Sequence, residues 1–338
     1  MNMFLQNYDW WQLKRCLLIV IGLSLLACQN GEGKDKLSKG ANKSMKTYPM
    51  GRFRVDVPLE LKLAHQEHRI RYADIEEFVW PQNINKEQVR NRIWETKLSE
   101  IDNIKPLKGI KNIVIEKKDF SAIGKWAQGI LYYGDRLLKE EMYWNILVDA
   151  GQIGVWIKIH GIDKKAMQLN IDNILKSYSF RNDDDLKTSN TDSFFSKHGV
   201  FKLPYLEQEH TYARFEGHPL NFKLEIEMNE TQEVEKTGLA SKLEKLLVSY
   251  VTPGLDIHKI RSHKRAVAGL KGEEIVMKMI EADESKLQFA WQYQGKEDSG
   301  EHPEIELTME SPDGNLDEKL KIWDAVLDSM KPMFARKK

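Results

Sequence analysis

The sequence is poor in cysteine, in net charge and in long apolar runs, and each shortage excludes a class of protein. Its 338 residues include two cysteines, at positions 16 and 28, which are too few for a disulfide framework and too far apart for a C-x-x-C site. Lysine plus arginine equals aspartate plus glutamate at 51 each, so charge gives no argument for a nucleic-acid partner. The apolar run over residues 17–27 is too short for a membrane-spanning helix, which needs about 20 residues.

A lipoprotein leader is predicted at residues 1–27. Lys14 and Arg15 precede the short apolar run, which is the pattern of a secretory signal peptide. The run ends in Leu-Leu-Ala-Cys, which resembles the bacterial lipobox and implies cleavage before Cys28 and acylation, including palmitate, at that residue. An ordinary signal peptide with an incidental cysteine is the alternative. Because Gln29 is not aspartate, we expect the lipoprotein to be anchored at the periplasmic face of the outer membrane. Cys28 is the one cysteine that remains after the leader.

Two polar stretches divide the rest of the chain. Residues 28–46 are predicted to form a flexible tether with a reach of about 25 Å. Residues 182–193 are predicted to form a linker between an N-terminal domain, 47–181, and a C-terminal domain, 194–338. Three aspartates at 183–185 could instead bind a cation, but their spacing lacks the alternating ligands of a calcium loop.

The two predicted domains resemble each other in their order of elements. Each opens with a short strand that ends in proline, at residues 52–58 and 199–204. Each continues with a helix: the first starts near Asn85, with Gln88 three residues on in a capping-box pattern, and the second covers residues 239–250. Each closes with a strand and an amphipathic helix, at residues 169–178 and 316–330. Glycines at 109 and 124 recur at 254 and 269, the same 145-residue offset. This order predicts an internal duplication.

Period-2 patterning predicts the fold class. Apolar side chains at 222, 224, 226 and 228, and again at 305, 307 and 309, alternate with mostly charged ones. Such alternation is typical of antiparallel strands with one solvated face. We therefore predict an α+β protein of two related domains, each an antiparallel sheet packed against helices.

The catalytic and metal motifs that we searched for are absent from the sequence. It contains no G-x-S-x-G, H-E-x-x-H or phosphate-binding loop. His65 and His68 would share a helix face, but a strand or turn is expected there, which separates them. His258 and His263, five apart in a predicted strand, should face opposite sides. The paired carboxylates Glu273 and Glu274 are expected in a solvated turn. We therefore predict no catalytic residue, no metal and no cofactor.

Aromatic residues in and beside strands suggest a protein-binding surface. Most tryptophans in such positions fill a core. Trp156, however, shares a side with Lys158 and His160, and Trp291 shares a face with Tyr293. Exposed aromatic residues near charges are typical binding anchors, so we expect these to be exposed.

The C-terminal half resembles a known family. Residues 269–310 are similar to the C-terminal domain of immunity lipoproteins that neutralise type VI secretion phospholipase effectors. The resemblance rests on Gly272-Glu273-Glu274, on the strand with Trp291 and on Pro303-x-Ile305-x-Leu307. The first half is similar more loosely, through Gly51-Arg52-Phe53 and Val57-Pro58.

The resemblance implies an inhibitor rather than an enzyme, located in the periplasm and bound to its cognate effector. It implies that two domains clamp the lid elements of the lipase, so that substrate cannot enter. We expect contact through the cleft between the two domains and through loops 78–83 and 295–302. The predicted partner-binding residues are Phe78, Trp80, Trp156, Trp291, Tyr293, Glu297 and Asp298.

Two alternatives remain open. One is a periplasmic lipoprotein that binds a small ligand or an envelope-assembly partner, which an enclosed apolar pocket would favour. The other is a lipoprotein hydrolase, which a Ser-His-Asp geometry would favour.

Overall fold

A computed structural model describes residues 44–106, 108–134, 140–182, 193–235, 237–239, 241, 255–281 and 284–334. The predicted leader, Cys28, nearly all of the tether and most of the predicted linker lie outside the described residues. The predicted helix over 239–250 does so as well, apart from its first residues. Within the described part of the chain, no helix has the length and apolarity needed to cross a membrane.

Three helices and eighteen strands make up the described fold. The helices are α1 (Lys86–Asp102), α2 (Lys164–Ser177) and α3 (Leu316–Ser329). The strands of the first half are β1 (Met45–Met50), β2 (Phe53–Pro58), β3 (Lys62–Ile70), β4 (Ala73–Val79), β5 (Val114–Asp119), β6 (Ala127–Tyr133), β7 (Met142–Asp149), β8 (Ile153–Gly161) and β9 (Tyr178–Phe180). Those of the second half are β10 (Phe194–Phe195), β11 (Gly199–Phe201), β12 (His210–Glu216), β13 (Lys223–Asn229), β14 (Leu255–Val267), β15 (Leu270–Glu281), β16 (Glu284–Tyr293), β17 (Glu304–Pro312) and β18 (Lys331–Pro332).

One antiparallel sheet of twelve strands runs through both halves. Its order is β14-β15-β16-β17-β13-β12-β3-β4-β8-β7-β6-β5, so the second half repeats the order of the first outward from the centre. The centre is the pair β12–β3, in which Ala213 lies opposite Gln66 and Thr211 opposite His68. The coarser prediction, antiparallel sheet with helices, is confirmed. The expectation of two separate sheets is wrong, because this pairing joins two edges that would otherwise stay open.

The predicted strand alternation is confirmed by the register. Leu224, Ile226 and Met228 on β13 lie opposite Met309, Leu307 and Ile305 on β17, and all six are buried. The charged residues between them point to the other face. Burial of one face therefore fixes the register, since a one-residue slip would turn every apolar side chain to solvent.

Helix α1 begins where its sequence predicts, whereas α2 begins at Lys164, five residues before the predicted start at 169. The Asn85 side chain accepts hydrogen bonds from the backbone N–H groups of Glu87 and Gln88 at 2.9 and 3.2 Å, which caps α1. Asp163 caps α2 in the same way. Leu169, the first residue of the predicted helix, is exposed, because α2 turns Met167, Ile171, Ile174 and Leu175 to the sheet.

Segments from each half complete the core of the other. The hairpin β1–β2 supplies Phe53 and Val55 to the core formed by the second half of the sheet and α3. Conversely, Phe194 and Phe201 join the core of the first half and α2. Strand β18 pairs with β2, and β11 pairs with β9. The boundaries 47–181 and 194–338 stay a prediction; the cores they would enclose are interlocked by these exchanged strands.

A buried ion pair lies at this interlock. Arg52 follows β1, and its guanidinium donates to both carboxylate oxygens of Glu209 at 2.6 and 2.8 Å. Its Nη2 also donates to the carbonyl of Leu203 at 3.2 Å. Both charged side chains are at most 10% exposed. Burial raises the pKa of the Glu209 carboxyl, and the Arg52 guanidinium opposes that rise. The pair therefore joins the first hairpin to the start of β12.

Candidate interaction surface

The two faces of the twelve-stranded sheet differ in what covers them. The cores with α2 and α3 lie on the same face, which we call the covered face. On the opposite face, α1 covers β6, β7 and β8 through Val89, Trp94 and Ile101. The part of that face on β4, β3, β12, β13 and β17 is polar, and we call it the open face. It spans about 19 Å between the outer strand axes, at about 4.8 Å per strand.

The open face carries more negative than positive side chains. Nine carboxylates share it with two lysine or arginine residues on β12 and β13, a lysine and an arginine on β3 and two histidines. The carboxylates are Glu67, Asp74, Glu76, Glu216, Glu225, Glu227, Glu304, Glu306 and Glu310; the others are Lys62, Arg69, Arg214, Lys223, His65 and His210.

Ion pairs balance the charges near the first half. Arg69 contacts Asp74 at 2.7 Å, and Lys158 of β8 contacts Glu76 at 2.5 Å. His65 lies 2.5 Å from Glu67 and its ring is 5.9 Å from that of Tyr212. The first half of the open face is therefore close to neutral.

Strands β13 and β17 form the acidic part of the open face. They carry five glutamates against the single Lys223, which lies opposite Glu310. Glu227 lies directly opposite Glu306, accepts a hydrogen bond from Nδ2 of Asn229 at 3.1 Å and lies 3.3 Å from Nε2 of His210. Burial is the largest cause that raises the pKa of the Tyr212 hydroxyl to about 12; the charge of Glu225 adds to the rise, and that of Arg214 opposes it.

A groove runs beside α1 at the border of the open face. It has a volume of about 380 Å³, and Ile93 of α1 and Trp156 of β8 line its apolar part. Lys97 lies 5.9 Å from the ring of Trp156. The groove is open along its length, so it can receive a side chain of a partner but does not enclose a ligand.

The three predicted partner-binding tryptophans are buried, and the exposure expected of Trp156 and Trp291 is wrong. Trp291 points to the covered face, is 0% exposed and donates its indole N–H to the Arg265 carbonyl at 3.1 Å. Trp156 does lie on the opposite face, but α1 covers it and its ring stacks on that of Trp94 at 6.2 Å. Trp80 packs edge-on against Phe78 at 4.8 Å, which leaves Phe78 half-buried. Strand periodicity gives the side of the sheet but not the helix that covers it.

The other predicted residues remain accessible in part. Glu297 and Asp298 are exposed in the loop after β16, where the Asp298 N–H donates to the Thr231 carbonyl at 3.1 Å. Gly295 has a positive φ of 79°, which a glycine adopts at no steric cost. Tyr293 is half-buried, and its hydroxyl lies 3.2 Å from Nδ1 of His302.

The two predicted contact loops lie at opposite ends of the strands. Loop 78–83 follows Val79, which pairs with Ile153 at the start of β8. Loop 295–302 leads to Glu304, which lies opposite Asn229 at the end of β13. A partner that touched both loops would have to extend along the full length of the central strands.

The histidine and carboxylate expectations have mixed outcomes. His65 and His68 lie on opposite faces of β3, as a strand predicts. His258 and His263 share a face, contrary to expectation, because a β-bulge between Lys259 and Arg261 shifts the alternation by one residue. Among the described residues, no group of three or more histidine, cysteine, aspartate or glutamate side chains is arranged to hold a metal.

Glu274 is not in the solvated turn that its sequence suggested. It lies within β15 and is fully buried, where Arg261 and Arg265 contact it at 3.0 and 3.1 Å. The indole N–H of Trp323 donates to it at 3.0 Å. These donors, which come from β14 and α3, make the burial of the charge possible.

The sequence carried a signal for the acidic part of the open face. The glutamates at alternate positions of β13 and β17 mark two solvated strand faces. Their pairing with each other, which doubles the local charge, depends on the fold and was not predicted.

Comparison with known proteins agrees with the family resemblance. Residues 196–333 match the family model described as Tle cognate immunity protein 4 C-terminal domain. The resemblance read from residues 269–310 is thereby confirmed for the C-terminal half. No protein with a curated description matches the sequence.

Solved structures share the fold of nearly the whole described chain. The apo immunity protein TplEi of the type VI secretion system of Pseudomonas aeruginosa is similar with a TM-score of 0.70 and 17% identity, over 87% of this chain and 99% of that one. A chain of the Tle4–Tli4 complex gives a TM-score of 0.68 and 17% identity, over 86% and 98%. TplEi with an "L" peptide gives 0.66 and 16%, over 87% and 100%.

Proposed function

We propose that this chain is an immunity protein that binds and inhibits a phospholipase effector of the type VI secretion system in the periplasm. The observation that carries the proposal is the match of residues 196–333 to the immunity-protein family model. The fold similarity to TplEi and to the chain from the Tle4–Tli4 complex supports it across both halves. Its role is binding rather than catalysis.

Inhibition proceeds by clamping the lid region of the lipase between the two halves. A lidded lipase must move its lid to admit lipid, so a protein that binds one lid state more tightly stops turnover. The open face supports this mechanism, since it lies between the halves and extends between the two loop ends. Phe78, Tyr293, Glu297 and Asp298 are the proposed contact residues. Trp80, Trp156 and Trp291 act from beneath the surface by fixing the strands that carry the contacts.

The lipid anchor places the inhibitor where the effector acts. Acylation of Cys28 and a tether over residues 28–46 would hold the folded body near the membrane, with the outer membrane as the expected location. Labelling with a palmitate analogue tests this directly. Incorporation in the wild type and its loss in Cys28→Ser support the anchor, whereas equal incorporation in both excludes it.

We also infer that the two halves arose by duplication. The mirrored strand order supports this inference, because β3-β4-β8-β7-β6-β5 corresponds element by element to β12-β13-β17-β16-β15-β14. The helices α2 and α3, each of 14 residues, follow corresponding strands.

The leading alternative, a lipoprotein that binds a small ligand or an envelope-assembly partner, has one observation in its favour. The groove beside α1 has the volume of a small-ligand site, although it is open to solvent. A second cavity, beside Arg52 and Tyr205, has room for about one water molecule. The shape of neither cavity favours an enclosed apolar ligand.

The test is to mix the purified full chain with type VI phospholipase effectors of the Tle class. Binding is measured by calorimetry and lipase activity is followed in parallel. One-to-one binding with loss of activity supports the proposal; we expect a Kd in the nanomolar range, about −12 kcal/mol. Binding that leaves activity unchanged contradicts inhibition, and absence of binding to every effector contradicts the proposal as a whole.

A further inference from the structure

We propose that an extended segment of the effector enters the gap between β3 and β4 and adds to the sheet by pairing with the free edge of β4. The inference rests on the proposed function and adds the conformation of the partner segment and the way it is recognised. Recognition is mainly through the backbone, so the segment is defined by an extended conformation over about four residues.

The gap exists because β3 and β4 pair over only part of their length. Strand β3 is paired with β12 from end to end, and β4 is paired with β8 in the same way. Between β3 and β4 themselves, the pairing joins residues 68–70 to residues 73–75 only. Residues 62–67 and 76–79 therefore have no strand partner on the edges that face each other, within the described part of the chain.

The register determines which backbone groups face the gap. The turn at residues 71–72 has a positive φ at both residues, 49° and 68°, as in two-residue hairpin turns. The residues that flank such a turn exchange their backbone hydrogen bonds, and so does every second pair after them. The backbone groups of His68 and Ile75 therefore face each other. Those of Gln66 and Glu77 would be the next pair, but the strands no longer pair there.

The free edge of β4 consists of backbone groups without a backbone partner. By the same alternation, the N–H and C=O groups of Glu77 and Val79 point into the gap. The N–H of Trp80 donates in the other direction, to the Gln152 carbonyl at 3.1 Å, which agrees with this assignment. Within the described residues, no backbone group pairs with Glu77 or Val79 on the gap side. A free strand edge of this kind is the template for an added strand.

Contacts on the covered side hold this edge in place. The Glu77 carboxylate accepts hydrogen bonds from the hydroxyls of Tyr178 and Ser196 and from the N–H of His198, each at 2.8 Å. These contacts fix β4 to β9 and to the turn between β10 and β11. The edge is therefore ordered before a partner arrives, which lowers the entropy cost of binding.

The outermost strands of the sheet differ from the edge of β4. Strands β5 and β14 end the sheet, and each carries exposed lysine, among them Lys117 and Lys259, which discourages the addition of a strand. Residues 76–79 of β4 include no lysine or proline, and Val79 is 54% exposed. Phe78, half-buried on the open side, offers a ring on which a side chain of the segment packs. The edge of β4 is thus the one suited to pairing.

An effector segment suits the gap better than the parts of this chain that lie outside the described residues. The described chain begins at Ser44, whose carbonyl accepts from the Leu59 N–H at 3.1 Å, close to the start of β3. Residues 29–43 before it contain one large apolar residue among glycine, lysine, asparagine and aspartate, which are depleted in strands. Residues 183–192 are similarly polar.

The test compares two substitutions at Val79 in the full chain. Val79→Pro removes the N–H that points into the gap, whereas Val79→Ala shortens the side chain and keeps that N–H. The matched control Ala266→Pro places proline at an exposed position of the outer strand β14, where the N–H points away from β15. The probe is a Tle-class phospholipase effector that the wild type binds. Calorimetry measures the Kd, and thermal unfolding of each variant is recorded.

We expect Val79→Pro to raise the Kd at least about tenfold, because a backbone carbonyl of the partner loses its donor. Val79→Ala should raise it less than about threefold, and Ala266→Pro should leave it unchanged. Hydrogen exchange of the wild type gives a second readout that needs no variant. Bound effector should slow exchange of the Glu77 and Val79 amides at least about tenfold and leave the outward amides of β14 unchanged.

Three results overturn the inference. Unchanged exchange of the Glu77 and Val79 amides with effector bound would show that no strand pairs with β4. Wild-type affinity of a folded Val79→Pro variant would show that the gap-side N–H makes no contact. Protection of these amides in the free chain would assign the gap to a segment of this chain, or to a second copy if protection rises with protein concentration. If the wild type binds no effector, the proposed function itself fails, which is a distinguishable outcome.

Discussion

The covered face and the open face use the same strands for opposite purposes. On β17, Ile305, Leu307 and Met309 are at most 1% exposed within the core, while Glu304, Glu306 and Glu310 alternate with them on the other side. The covered face stabilises the protein through burial of apolar area. The open face is in contact with solvent and contributes little to stability. The difference shows that alternate residues of one strand serve the core and the solvated surface.

The same contrast between apolar and charged side chains is found within the side of the sheet opposite the covered face, between the region under α1 and the central strands. Where α1 packs on it, the sheet carries Ile130, Leu147 and Trp156, and the side chains are buried. On the central strands the covering helix ends, and charged residues replace the apolar ones. A boundary between apolar and charged side chains on one sheet therefore marks where the protein's own helix stops and where a partner can begin.

The largest expected effect is the loss of stability when a side chain of the covered face, rather than one of the open face, is removed. Phe289→Ala removes a fully buried ring that lies 5.8 Å from Trp323, and we expect it to lower the free energy of unfolding by between about 3 and 5 kcal/mol. The control Glu310→Ala, on the open face of the neighbouring strand, should change it by less than about 0.5 kcal/mol. Chemical denaturation measures both. Equal losses would contradict the division into a covered and an open face.

A comparable effect is expected where the two halves interlock. Arg52→Met leaves the buried carboxylate of Glu209 without its ion-pair partner, which should cost between about 3 and 5 kcal/mol. The double variant Arg52→Met with Glu209→Leu removes both charges and should recover much of that loss. Urea denaturation distinguishes the two variants. If the single variant were as stable as the wild type, the ion pair would not hold the exchanged hairpin.

A smaller effect is expected in the pH dependence of the free energy of unfolding, to which two histidines on opposite faces of β3 should contribute differently. Burial lowers the pKa of His68 to about 3, with added contributions from the charges of His210 and Lys197, whereas His65 is exposed. The depressed pKa means that folding favours the neutral ring. Its stabilisation is fully present above pH 6.5 and is lost as the pH falls toward 3. Between pH 6.5 and 5 the loss should reach about 2 kcal/mol, at about 1.4 kcal/mol per unit.

Substitution at each histidine tests that assignment. His68→Phe should remove the pH dependence in this interval, and His65→Phe should retain it. The measurement is the free energy of unfolding from denaturant titrations at pH 5, 6, 7 and 8. An identical pH profile for the wild type and His68→Phe would assign the dependence to another group.

The sequence predicted the strands better than it predicted which side chains are exposed. Alternation gave β13 and β17 and their buried residues, and Asn85 with Gln88 three residues later gave the start of α1. The exposure of Trp156 was misjudged because period 2 states which side of a sheet a residue takes, not whether a helix covers that side. The shared face of His258 and His263 depends on one inserted residue at a bulge, which the sequence does not mark.

The sequence by itself determined the antiparallel strands, the helix caps and the solvated character of alternate positions, because these depend on near neighbours in the chain. The resemblance of residues 269–310 also pointed to the family whose model matches residues 196–333. Only the tertiary structure decided that β3 and β12 join two sheets into one, that β2 and β11 complete the cores of the opposite halves, and that Glu227 lies opposite Glu306. These depend on contacts between residues far apart in the chain, which no local pattern encodes.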